Sequence, residues 1–262
     1  MPKITTDDGI ELNYEFEGAA DAPVLVFSNS LGTDLGMWDD QMEALSAGRR
    51  VLRYVSRRHG PIGCAEGALF DREAGPRRAE PDGFAGAGKG RLLYGLSKGG
   101  MVGMWLGTNA GERFDKMVYA NTAAYLPTEE MWRHRAATVR ADGMGAVVEA
   151  VVNRWFTPGF QTREPEQVAR ISSMILGTNP EGYAGCCEAI AAMDQRQTIK
   201  AIDNPVLVIA GAEDPATPPD HAHQIAEAIA GSELVVLSDA AHLSNIEQAA
   251  LFNTALSDFL NG

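Results

Sequence analysis

The stretch Leu92-Leu93-Tyr94-Gly95-Leu96-Ser97-Lys98-Gly99-Gly100-Met101-Val102-Gly103-Met104-Trp105-Leu106 decides the fold. A short apolar run that reads as a strand enters Gly95-x-Ser97-x-Gly99, and a helix-like run leaves it, which is the layout of a nucleophile elbow. The turn is so tight that flanking side chains would collide, so glycines stand on either side of the serine. The serine hydroxyl is then held out at the carboxyl end of a strand, beside a helix N-terminus whose N–H groups can bind an oxyanion. The pentapeptide alone is a weak signal, because an ordinary strand-to-helix turn reads the same way. An acid and a histidine at suitable places downstream would decide the matter.

Moving outward, Ile10, Leu12, Tyr14 and Phe16 alternate with polar residues after Asp8-Gly9, the pattern of a strand leaving a tight turn. Pro23-Val24-Leu25-Val26-Phe27 is a continuous apolar run, as in a strand buried on both faces. Further strands are read at Val51-Leu52-Arg53-Tyr54, Met117-Val118-Tyr119-Ala120, Val206-Leu207-Val208-Ile209 and Leu234-Val235-Val236-Leu237. Helical patterns lie between several of them, including residues 225–229 and 249–260, so the chain reads as α/β with a largely parallel sheet. Residues 127–196 lack a convincing strand. Apolar positions there recur at helical spacing, as in Val147, Val148, Val151, Val152 and Trp155. The segment is too long for one crossover and reads as a helical cap, with sheet-domain parts at 1–126 and 197–262.

Composition sets bounds. At 262 residues and 45% hydrophobic content the chain can bury a sizeable core. No run of 18 apolar residues is present, and the first residues lack the apolar core of a signal peptide. Cys64, Cys186 and Cys187 show no zinc-like spacing, which fits a reducing cytoplasm. A net charge of −13 disfavours nucleic acid and anionic membranes as partners, and leaves any anion site to be built locally from arginine or histidine.

Serine is a poor nucleophile at neutral pH, so it needs a base, and the base needs an orienting acid. Five histidines are available. His242 follows the strand ending at Leu237, in a loop suited to the sheet edge that carries Ser97. His221 and His223 fall in a helical run and read as surface residues, while His134 falls in the insertion. Both Glu213 and Asp214 follow the Val206–Ile209 strand, and Asp214 is favoured because strand-Gly-x-x-Asp ends in a turn that points the carboxylate along the sheet edge. Capping of a helix near Pro218 is its competing role. The order Ser97, Asp214, His242 is that of α/β-hydrolases. Backbone N–H groups of Leu31, in the loop after the Val24–Phe27 strand, and of Lys98, directly after the serine, are the expected oxyanion donors.

At these residues the sequence resembles the 3-oxoadipate enol-lactonases of the α/β-hydrolase superfamily. The likeness rests on Ser28-Asn29-Ser30-Leu31-Gly32-Thr33 with Met37-Trp38, where many relatives carry His-Gly instead. It continues through Gly95-Leu96-Ser97, Ala120-Asn121-Thr122-Ala123, Arg154-Trp155-Phe156-Thr157, Gly182-Tyr183 and Cys187-Glu188-Ala189-Ile190. It ends at Ala241-His242-Leu243-Ser244-Asn245-Ile246-Glu247. The resemblance implies an α/β-hydrolase fold with a helical cap, and hydrolysis of a carboxylate-bearing lactone without metal or organic cofactor. Trp132, Arg135, Arg154 and Trp155 are then expected to bind the substrate, an arginine fork beside an aromatic wall suiting a small carboxylate. Solvated helix arginines are the plain alternative. Another carboxylesterase or a cofactor-free perhydrolase would share the triad, and a silent or misfolded hydrolase-like chain is the reading of another class.

Two departures stand out. Lys98 occupies a position where the family more often has a neutral residue, placing an ammonium near the site. Residues 60–90 hold eight glycines and three prolines but only Ile62 and Leu69 among Val, Ile and Leu, so no amphipathic stripe offers a crossover helix. Arg57-Arg58-His59-Gly60 is still recognisable as the family's Arg-Gly-His-Gly, with Arg58 in place of its first glycine. A compensated reading-frame shift or sequence error over about residues 55–92 is the expectation drawn from this.

Overall fold

The computed structural model describes residues 3–5, 11–56 and 91–262. The anomalous stretch at 60–90, the residues Arg57, Arg58 and His59, and the Asp8-Gly9 turn lie outside the described residues. The reading-frame question therefore bears on sequence that the structure does not describe.

Eight strands form one sheet: β1 (Lys3–Thr5), β2 (Glu11–Glu17), β3 (Val24–Ser28), β4 (Arg50–Ser56), β5 (Leu92–Leu96), β6 (Lys116–Ala120), β7 (Val206–Gly211) and β8 (Glu233–Leu237). Their spatial order is β1-β2-β4-β3-β5-β6-β7-β8. The β1–β2 and β2–β4 pairs are antiparallel and the rest are parallel. Val26 lies between Leu52 and Leu93, and Val118 between Tyr94 and Leu207, so apolar side chains sit beside one another across the central strands. Every residue of β3, β5 and β7 is buried, which is why these strands read as unbroken apolar runs rather than alternations. A charged residue, Arg53 of β4, is also buried in the sheet. Its buried guanidinium is held by Asp39 at 3.1 Å, the Leu35 carbonyl at 3.3 Å, Glu15 at 3.4 Å and Glu17, so the charge is paired rather than stranded.

The described helices are α1 (Asp39–Leu45), α2 (Lys98–Ala110), α3 (Glu129–Asp142), α4 (Val148–Trp155), α5 (Pro158–Arg163), α6 (Pro165–Gly177), α7 (Pro180–Ala192), α8 (Pro219–Ala228), α9 (Ser244–Glu247) and α10 (Ala249–Asn261). Helices α3 to α7 all fall between β6 and β7. Val151, Val152 and Trp155 of α4 are buried, as their spacing requires. The inserted chain leaves and rejoins the sheet layer at one place: Tyr125 and Asp194 form an isolated antiparallel bridge. Gln195 N–H donates to Ala124 O at 2.8 Å and its side chain to Met101 O at 3.0 Å. Across α3 and α7, Arg140 binds both Glu181 oxygens, at 2.6 and 2.9 Å, and Glu188 at 2.5 Å. Among the described residues, no helix is long and apolar enough to cross a membrane.

Candidate active site

Ser97 stands between β5 and α2 with φ 58° and ψ −118°, a left-handed conformation that costs a non-glycine residue energy unless its surroundings impose it. They do. A Cβ on Gly95 would lie 2.1 Å from the Gly99 carbonyl oxygen, and one on Gly99 would lie 1.9 Å from the Ser28 carbonyl oxygen, so both flanking positions must be glycine. Ser97 N–H donates to Ala120 O at 2.9 Å, and Thr122 Oγ1 donates to Ser97 O at 2.7 Å, which fixes the turn against β6.

Downstream, the turn after β7 and the loop after β8 bring the acid to the histidine. His242 Nδ1 is 2.8 Å from Asp214 Oδ2. The same oxygen accepts from Thr217 Oγ1 at 2.7 Å and Asn121 Nδ2 at 3.1 Å. Oδ1 accepts from the N–H groups of Ala216, at 2.8 Å, and Thr217, at 3.0 Å. Asp214 therefore folds its own turn instead of capping α8, whose N-cap position is Pro218. Burial alone would push the Asp214 carboxyl up. The charge and hydrogen bond of His242 and the bonds from Thr217 outweigh burial and hold it below the ordinary carboxylate range.

A second set of contacts fixes these two groups. Asn121, itself at φ 43°, also donates to Ala241 O at 3.1 Å and accepts from Ser244 Oγ at 2.5 Å. Glu247 accepts from Ala241 N–H at 2.8 Å on one oxygen, and from Thr157 N–H at 3.0 Å and Thr157 Oγ1 on the other. The sequence reading singled out neither Thr217 nor the roles of Asn121 and Glu247. A threonine three residues after an aspartate, and a carboxylate five residues after the histidine, were the available signals.

Ser97 and His242 line one cavity of about 80 Å³. Leu31 lines it too, and among the described residues no acceptor takes its N–H. Lys98 is the first residue of α2. It is buried and is not among the residues that line the cavity. Ser30 does line it, with a buried hydroxyl that has no partner among the described residues.

Trp132, Arg135, Arg154 and Trp155 all line this cavity from the inserted helices, so the structure brings the expected substrate-binding side chains to the expected triad. The Trp155 ring lies 6.0 Å from the His242 ring, centroid to centroid. The Arg135 guanidinium sits 4.9 Å from the Trp132 ring centroid, a cation–π contact. Among the described residues neither Arg135 nor Arg154 forms an ion pair. Partial burial, and then the like charge of Arg135, lower the Arg154 pKa. Burial likewise pushes Tyr183, another lining residue, up to about 12, against the pull of Arg135. His221 and His223 lie on α8 and His134 on α3, away from the cavity. Among the described residues no group of three or more His, Cys, Asp or Glu is placed to hold a metal ion.

The profile described as alpha/beta hydrolase fold matches residues 86–249. The 3-oxoadipate enol-lactonase 2 of Acinetobacter baylyi is 38% identical, over 96% of this chain and 93% of that protein. The 3-oxoadipate enol-lactonase 1 of the same organism is 35% identical over 98% and 96%. A solved structure, the enol-lactonase from Burkholderia xenovorans LB400, superposes with a TM-score of 0.85 at 38% identity, covering all of both chains. With its elbow, its Ser-Asp-His order and this likeness along its length, the chain belongs to the α/β-hydrolase family, in the branch of the 3-oxoadipate enol-lactonases.

Proposed function

We propose that the protein opens 3-oxoadipate enol-lactone to 3-oxoadipate, with Ser97 as nucleophile, His242 as general base and acid, and Asp214 holding the imidazole. The observation that carries this reading is the meeting, in one cavity, of the elbow serine and the Asp214-bound histidine with two arginines that form no ion pair among the described residues. The relatives named above are enol-lactonases, and their substrate is an ester carbonyl carried beside a free carboxylate.

The chemistry follows from these groups. Ser97 Oγ attacks the lactone carbonyl while His242 Nε2 takes its proton, and the carbonyl oxygen becomes an oxyanion between the N–H groups of Leu31 and Lys98. Collapse breaks the ring C–O bond. The leaving oxygen departs as an enolate, a far better leaving group than an alkoxide; the proton that His242 took from Ser97 passes to this product, which ends as the ketone protonated at carbon, and His242 is neutral again. Water, deprotonated by His242, attacks the acyl-enzyme, and the tetrahedral intermediate expels Ser97, which regains its proton. Asp214 already accepts a bond at Nδ1, which presents the other ring nitrogen to the reaction. Arg135 and Arg154 hold the carboxylate, with Trp132 and Trp155 as flat walls. The ligand's charge relieves the repulsion between the two guanidiniums, which compensates for its loss of water in an acidic protein.

Loss of ultraviolet absorbance of the enol-lactone tests the reading directly, beside p-nitrophenyl acetate as a generic ester. Turnover of the lactone that Ser97→Ala abolishes is the expected result. Turnover of the aryl ester alone would make this a general esterase and overturn the substrate.

A further inference from the structure

The residues on either side of His242 are both held by the inserted helices. On one side, Leu243 N–H donates to the Trp155 carbonyl at 3.0 Å. On the other, Ala241 N–H donates to Glu247, whose second oxygen accepts from the N–H and hydroxyl of Thr157. Both ties end within the segment Trp155-Phe156-Thr157, directly after Arg154, and the Trp155 ring stands tilted beside the imidazole, 6.0 Å between centroids. Glu247 is 6% exposed and meets only donors, so it serves as a two-ended acceptor.

We propose that Glu247 is a positioning residue that couples the inserted helices to the catalytic histidine, so that an anion bound at Arg154 improves the placement of His242 and raises kcat rather than merely lowering KM. The proposal deepens the functional reading above and rests on its assignment of a carboxylate to the arginines. Binding energy gained away from the reacting bond accelerates chemistry only if something transmits it to the catalytic groups. The 155–157 segment is that connection: whatever seats Arg154 and Trp155 also sets both neighbours of His242. Glutamine cannot replace Glu247, because one end of its amide is itself a donor and would face either Ala241 N–H or the Thr157 donors.

The test uses the full chain, with a circular dichroism melt to verify folding, and two aryl esters of the same leaving group: p-nitrophenyl acetate and the carboxylate-bearing mono-p-nitrophenyl succinate. The wild type is expected to favour the succinate ester in kcat. Thr157→Val removes the hydroxyl tie to Glu247, together with the bond that the same hydroxyl accepts from Phe160 N–H at the start of α5, and should lower the succinate-to-acetate kcat ratio by about threefold to tenfold, with the succinate KM nearly unchanged. Glu247→Gln should slow both esters and lower the same ratio by about tenfold or more, and Glu247→Asp should recover part of it. Equal losses on both esters, or a loss confined to KM, would overturn the coupling. Because neither ester is the lactone, failure of the wild type to open the lactone would sink the substrate assignment while leaving this comparison intact.

Discussion

The two walls of the cavity are built on opposite principles. On the sheet side the polar groups are satisfied: Asp214 accepts five hydrogen bonds, and Asn121 links it to the histidine loop at both ends of its amide. On the side of the inserted helices and the Leu31 loop they are not. Arg135 and Arg154 lack ion-pair partners among the described residues, and the Trp132 indole N–H and Ser30 hydroxyl are buried without acceptors. A buried group left without a partner costs more than a typical bond contributes, so such groups persist where a ligand completes them. One wall is preorganised for the reaction and the other for the substrate.

Substitutions on each wall should therefore fail differently. The largest effect belongs to Ser97→Ala, which should lower enol-lactone kcat by about 10⁴-fold or more without lowering the melting temperature; residual activity above about a tenth would place the nucleophile elsewhere. Asp214→Asn comes next, since an amide cannot accept all five donors or hold the same imidazole tautomer, and a loss of about 10³- to 10⁴-fold in kcat is expected. On the substrate wall, Arg154→Met or Arg135→Met should lower kcat/KM for the lactone by about 10- to 100-fold and for p-nitrophenyl acetate far less. Equal losses on both substrates would erase the distinction between the walls.

The sheet-side wall also predicts an acid limit. The folded Asp214 carboxyl lies below its unfolded value, so its contribution to stability is complete above the unfolded pKa and is lost as pH falls through the folded one. Denaturant titrations below about pH 4 should show falling stability in the wild type and a shallower fall in Asp214→Asn. The smallest effect is Arg140→Ala. It frees a half-exposed clamp between α3 and α7 and should cost about 1 kcal/mol, visible as a small drop in melting temperature, with kcat for p-nitrophenyl acetate little changed.

What the sequence made legible divides along the same line. Ser97, Asp214 and His242 each follow a strand whose apolar run is unmistakable, and the glycines around Ser97 announce a turn that nothing larger could make. Lys3–Thr5 of β1 was not read, because three residues carry no period. Glu247, Thr217 and Asn121 were harder for another reason. Their partners lie between three and 123 residues away, and hydrogen bonds between distant polar side chains leave no spacing in the chain. The Lys98 ammonium was placed near the reaction by sequence position alone. In the fold Lys98 is the buried first residue of α2 and is not among the residues that line the cavity. Arg135 and Arg154 are 19 positions apart on different helices, and only packing brings them to one cavity.

The narrow neck at Tyr125 and Asp194 has a consequence for how this architecture can change. Bridge partners stand about 5 Å apart, so the chain's exit from the sheet layer and its return nearly touch. Helices between those points can lengthen, shorten or be exchanged for a foreign set without asking any strand to move. A library that swaps only that excursion would inherit an intact reaction centre and vary what is admitted to it. It would also have to carry its own replacements for the Trp155 carbonyl and Thr157, where the excursion grips the histidine loop.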